Sequence, residues 1–175
     1  MKPSAIRIFG TVHLLAYEQY DWYNLKAFYG RYGSKEHLYK LCLERFVEIH
    51  GGDLSEKLKH PDFRTAVANF FRALVERQRC ADVPSGCFAT FAAIETGGSA
   101  SEASRFVQAN LDAMRELFQN RCLQAVADEQ LPGNTDCEAK SAMLLAMTRG
   151  VAVLGRGHSD LSVAQDAVDG MLQSV

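Results

Sequence analysis

Apolar residues recur at steps of three and four along most of this chain, and prolines stand only where that rhythm is broken, at Pro3, Pro61, Pro84 and Pro132. A proline inside a helix removes a hydrogen bond and clashes with the preceding turn, so this placement leaves long stretches free to be helical. From Asp62 to Arg79, residues Phe63, Ala66, Val67, Phe70, Phe71, Leu74 and Val75 share one face behind Asp62 as N-cap. From Ser101 to Gln130, Phe106, Val107, Leu111, Met114, Leu117, Phe118, Leu123, Ala125 and Val126 are in phase, with Ser99 and Glu102 as a capping box at the start and Leu131-Pro132-Gly133 as the stop. Two further helices are predicted over Asp136–Leu154 and Asp160–Gln173, joined by a turn at 155–159. Shorter segments are Lys35–His50 closed by Gly51-Gly52, Leu54–Lys59, and Gly86–Thr96 closed by Gly97-Gly98. No β-type alternation survives over five residues. The expected fold is all-α, with about eight helices.

Composition narrows the function classes. With 47% hydrophobic and 23% charged residues the chain has ample material for a core and lacks the signature of disorder. Its 175 residues suit one ordinary domain, or one domain plus a small appended module. The formal net charge is −2, so any basic surface must be local. Residues 1–45 carry seven lysines and arginines against four acids, a net of +3 that leaves −5 for the remainder. That is a basic head on an acidic body. The five cysteines are odd in number and include no CxxC pair, which argues against a disulfide framework or a zinc site. His13, His37, His50, His60 and His158 show no metal-ligand spacing. Neither a signal peptide nor a run approaching the ~20 apolar residues of a membrane span is evident, so a cytoplasmic location is expected.

One stretch carries identity: Ala27-Phe28-Tyr29-Gly30-Arg31-Tyr32-Gly33-Ser34-Lys35-Glu36-His37-Leu38-Tyr39. Two aromatics, a glycine break and Ser34 placed to cap a new helix, with Glu36 in its first turn, describe a short helix joined tightly to a longer one. Such geometry closes a helix-turn-helix unit. Through Phe28, Tyr29, Tyr32, Gly33, Ser34, Lys35, Glu36 and Leu38 the chain resembles the TetR family of transcriptional regulators. The resemblance implies an all-helical homodimer with a small N-terminal DNA-binding unit, here residues 1–50, and a larger ligand-binding and dimerisation domain, residues 51–175. It also implies contact with double-stranded operator DNA through Lys26, Tyr29, Arg31 and Lys35. Free helix N-terminal amides, cations and a phenol on one surface are the chemistry that phosphate anchoring needs. The preceding segment, Thr11 to Lys26, departs from the family pattern: no Ala-Gly turn is present, and bulky aromatics stand where the family uses small residues.

The expected ligand is a small apolar or amphipathic molecule, held in a cavity walled by Phe70, Phe71, Phe88, Phe91, Phe106, Asn110 and Met114. Glu95 is either a polar anchor in that pocket or a water-facing helix end. Cys87, at the start of a helix whose dipole lowers a thiol pKa, reads either as a redox sensor or as a buried small hydrophobe. Two-fold pairing of the last two helices into a four-helix bundle is expected through Ala142, Met143, Ala146, Met147, Gly150, Val151 and Leu154, whose small members permit close approach. Neither a nucleophile elbow, a phosphate-cradling glycine loop nor paired carboxylates on an apolar helix occurs, so neither enzymatic activity nor a cofactor is expected. The functional expectation is a ligand-released repressor, or alternatively a ligand-binding helical dimer that has lost DNA binding.

Overall fold

A computed structural model of the chain describes residues 30, 33–79, 86–157 and 160–175, and of Lys35 the backbone alone. Six helices make up nearly all of it: α1 (Lys35–Lys57), α2 (Phe63–Arg79), α3 (Phe88–Thr96), α4 (Glu102–Ala127), α5 (Cys137–Gly157) and α6 (Ser162–Gln173). There is no strand among the described residues.

Local signals start most of these helices. Ser34 has extended backbone and its side chain accepts from the His37 amide at 3.0 Å, which opens α1. Asp62 does the same for α2, accepting from the Thr65 amide at 2.7 Å. Asp136 opens α5 by accepting from the Ala139 amide at 2.9 Å. At α4 the expected capping box is replaced by a single cap. Ser101 accepts from the Ser104 amide, while the Ser99 hydroxyl donates to the Thr96 carbonyl and lies 2.9 Å from the Ser101 hydroxyl. α4 ends before Leu131-Pro132-Gly133, in a Schellman turn: Glu129 takes φ +59°, the Gln130 amide reaches the Ala125 carbonyl, and the Glu129 amide reaches that of Val126.

Two glycine expectations are corrected. Gly51-Gly52 does not close α1, which runs on to Lys57 and absorbs the separate segment expected after it. Glycine costs about 1 kcal/mol in a helix interior, and burial of Leu54 and Leu58 against the core offsets that loss. Likewise α5 continues through Gly155 to Gly157. Gly155 is buried where α5 meets α2, and a Cβ there would lie 2.5 Å from Cγ of Gln78. Close helix approach, and not a turn, is what this glycine serves.

α2 is the central element, packed against α1, α4, α5 and α6. Its Phe63, Val67, Phe70, Phe71, Leu74 and Val75 form the main core with Phe118 and Cys122 of α4, Leu144 and Val151 of α5, and Val168 and Met171 of α6. Phe70 meets Phe71 and Phe118 edge-on, at centroid distances of 5.2 and 5.1 Å. Each such aromatic contributes about 1.5–3 kcal/mol by burial. A second, smaller cluster joins Tyr39 and Leu43 of α1 with Phe88 and Ala92 of α3 and Ala103 and Val107 of α4. The seam between the two clusters positions the candidate site.

Candidate ligand site and its link to the first turn of the long N-terminal helix

At that seam lies a cavity of about 60 Å³. α1 lines it with Phe46, His50 and Leu54, α2 with Leu74, Arg77 and Gln78, α4 with Asn110 and Met114, and α5 with Thr148 and Arg149, while Gly86 and Cys87 close it where α3 begins. Gly86 has φ +95°, and a Cβ on it would sit 2.5 Å from the Phe91 ring, so only glycine fits between Gln78 and that ring. Its amide donates to Gln78 Oε1 at 2.6 Å. Gln78 Nε2 in turn donates to the Leu74 carbonyl at 3.3 Å.

The polar lining is unusual in sign. Arg149 donates from Nη1 to Thr90 Oγ1 at 3.2 Å and to Cys87 Sγ at 3.7 Å, while its Nε is buried without a hydrogen-bond partner. Arg77 donates from Nη1 to the His50 carbonyl at 3.2 Å. Neither guanidinium has a carboxylate at ion-pair distance among the described residues, although Asp53 acts on Arg77 from further away. Burial pushes both guanidiniums below the usual arginine range, and Cys87 opposes that shift in each. Arginine nonetheless stays charged. Burial first, and then Arg77, also lowers the pKa of His50.

Beyond Arg149 opens a wider groove of about 480 Å³, lined almost wholly by apolar atoms of Ala93, Ile94, Leu111, Gly150, Val153 and Leu154, with Thr90. Arg149 borders both spaces.

The expected ligand residues divide accordingly. Asn110 and Met114 line the cavity. Phe70 and Phe71 do not: both are fully buried in the main core against Phe118, so the expectation of a wall there is corrected. Phe88 and Phe106 belong to the second cluster, Phe88 meeting Tyr39 edge-on at 5.2 Å. Phe91 lies under the Arg156 guanidinium at 5.3 Å. Arg77, Gln78 and Arg149 escaped the sequence reading because an arginine on an amphipathic helix ordinarily marks the solvated face.

On α5, Ala142, Met143 and Ala146 are exposed, Met147, Gly150 and Leu154 are half-buried, and Val151 is fully buried against its own subunit. Val151 is therefore core and not interface. Lys26, Tyr29 and Arg31, like the side chain of Lys35, lie outside the described residues.

The first turn of α1 is bonded to the α3–α4 corner. Glu36 Oε1 accepts from the Glu102 amide at 2.6 Å, and His37 Nδ1 stands 3.5 Å from Glu102 Oε2. Buried Tyr39 donates from its hydroxyl to Glu95 Oε2 at 3.0 Å; burial first, and then Glu95, raises the phenol's pKa. Glu95 is thus a water-facing helix end that holds α1, not an anchor inside the cavity. Cys122 is buried against Cys137 and its thiol is pushed up to about 12, as suits inert core. No group of histidines, cysteines and acids able to hold a metal occurs among the described residues, and no helix there is long and apolar enough to cross a membrane.

Residues 64–171 match the family model described as tetracyclin repressor-like, C-terminal domain. No curated protein matches the chain. Among solved structures, a cysteine mutant of the TetR family transcriptional regulator CifR, complexed with 26-base-pair double-strand operator DNA, is 28% identical over 84% of this chain and 78% of its own, with a TM-score of 0.75. A second cysteine mutant of CifR on operator DNA gives the same identity and TM-score over 84% and 77%. A protein of Rhodococcus sp. RHA1 assigned as a TetR transcriptional regulator is 25% identical over 85% of this chain and 80% of its own, with a TM-score of 0.61.

Proposed function

The chain belongs to the tetracyclin repressor-like (TetR) family, and from that premise we propose that it is a repressor that binds operator DNA as a homodimer and is released by a small apolar or amphipathic molecule. The main support is the likeness, at 28% identity over 84% of the chain, to a regulator solved on operator DNA. In this reading residues 1–50 carry the DNA-binding unit, with Lys26, Tyr29, Arg31 and Lys35 as phosphate and groove contacts, and residues 51–175 bind the ligand and the second subunit. α1 crosses that boundary as one continuous helix, so the head is coupled mechanically to the body.

The bonds at the start of α1 give the coupling a route. A ligand entering beside Asn110 and Met114 displaces α4 or the beginning of α3, and Glu102 and Glu95 pass that displacement to Glu36, His37 and Tyr39. In a two-fold dimer formed by α5 and α6, with Ala142, Met143 and Ala146 at the contact, such a shift changes the spacing of two heads over two half-sites.

The test is a titration of the DNA upstream of the chain's own gene at two salt concentrations, with wild type and Lys35→Ala. Loss of a phosphate contact weakens binding to every sequence alike and flattens the salt dependence by about one unit of slope per phosphate, doubled in a dimer. Unchanged specific binding by Lys35→Ala overturns that residue's role. No binding by the wild type selects the alternative, a ligand-binding helical dimer that has lost DNA binding.

A further inference from the structure

Within the ligand-binding reading above, on which this inference rests, we infer that the ligand is an organic monoanion with an aliphatic body, its carboxylate seated between Arg149 and Arg77 and its chain lying in the adjoining apolar groove. Charge is the first reason. Two guanidiniums border one cavity, neither is ion-paired to a carboxylate among the described residues, and none of the described residues that line the cavity is an aspartate or glutamate. A buried cation without a counter-charge is costly, and an anionic ligand supplies the missing charge. The donor inventory is the second reason. Among the described residues Arg149 donates to neutral groups, Thr90 Oγ1 and Cys87 Sγ, and its Nε is buried with no acceptor. A guanidinium presents a fork of N–H donors that matches the two oxygens of a carboxylate.

Volume then separates head from tail. The polar cavity, at about 60 Å³, is small beside the usual range for small-molecule sites of about 300–1,000 Å³. It suits a small polar head group such as a carboxylate. The groove on the other side of Arg149, at about 480 Å³, falls in the usual range for small-molecule sites of about 300–1,000 Å³ and presents Ala93, Ile94, Leu111, Val153 and Leu154 to its occupant. Thr90 and Arg149 mark the place where head and tail join.

Decanoate and the uncharged decanol are the probes, titrated calorimetrically into the full-length wild type, Arg149→Gln and Arg77→Gln, with circular dichroism checking that each variant folds. The wild type should bind decanoate about 10- to 100-fold more tightly than decanol, the range expected for hydrogen bonds to a charged group. Arg149→Gln should abolish that preference, and Arg77→Gln should reduce it. Two variants keep the inference testable if one of them does not fold. Equal binding of the two probes by the wild type, a preference that survives in both variants, or no binding of decanoate overturns the inference. Titrating operator DNA in parallel separates the two readings. A chain that binds DNA and prefers decanol loses the anionic ligand alone, whereas a chain that prefers decanoate through Arg149 but binds no DNA keeps the ligand and loses the repressor.

Discussion

Replacing Arg121 with methionine should destabilise the chain by about 2–3 kcal/mol, because this residue closes the joint between α1 and α2 from α4. Arg121 is 8% exposed; its Nε donates to the Leu58 carbonyl at 3.1 Å, and its Nη2 donates to the carbonyls of His60 and Pro61 at 2.9 and 2.8 Å. Its guanidinium also lies 5.4 Å from the Phe63 ring centroid. Hydrogen bonds to a charged group contribute about 1.5–3 kcal/mol each, and a buried acceptor left without its donor costs about 1–3 kcal/mol. Leu58 is buried, so its bond counts in full, whereas His60 and Pro61 are exposed and water replaces most of theirs. Against this loss, methionine removes a desolvated charge whose Nη1 has no partner, which returns roughly 1–2 kcal/mol. The balance still favours arginine. Urea unfolding followed by circular dichroism reads the difference directly, and a Tm lower by about 4–12 °C should accompany it at this chain length. Arg121→Lys, which keeps the charge but reaches fewer carbonyls, should fall between the two. A methionine variant as stable as the wild type would refute the reasoning, since desolvation would then outweigh all three bonds.

Gly155→Ala should cost about 1–3 kcal/mol by overpacking, because the new Cβ meets Gln78 at 2.5 Å and that side chain is held by the Gly86 amide and the Leu74 carbonyl; thermal unfolding equal to wild type would contradict it. Asp62 has its pKa depressed by the hydrogen bonds from Thr65, so its contribution is present above the ordinary carboxylate pKa and is lost as pH falls through the lower folded value. Asp62→Ala should therefore be less stable than wild type at neutral pH and converge with it in acid. Stability curves for the two proteins that stay parallel down to pH 2 would rule out the cap.

Much of this architecture was legible without coordinates. Ser34, Asp62 and Asp136 each bond an amide three residues away, so those helix starts need nothing beyond a few neighbouring residues. Three- and four-residue periodicity likewise marked α2 and α4 and, apart from the exposed Leu123, the side of each that is buried. The motif from Phe28 to Leu38 was specific enough to point to the family that the body, over residues 64–171, independently matches. The candidate site was another matter. Periodicity put Phe70 and Phe71 with Asn110 and Met114 on apolar faces, but it could not say which of them would be buried in solid core and which would border a gap.

What the sequence determined by itself was therefore most of the helices, most of their starting points and the buried face of α2, since apolar spacing and capping act within one or two turns. Tertiary structure alone decided that Gly155 is a contact and not a turn. It also decided that Val151 faces its own subunit and that Arg77 and Arg149, from different helices, border one cavity with no carboxylate between them among the described residues. Those outcomes depend on where five helices meet, and a meeting of residues some seventy positions apart leaves no periodic trace in either segment.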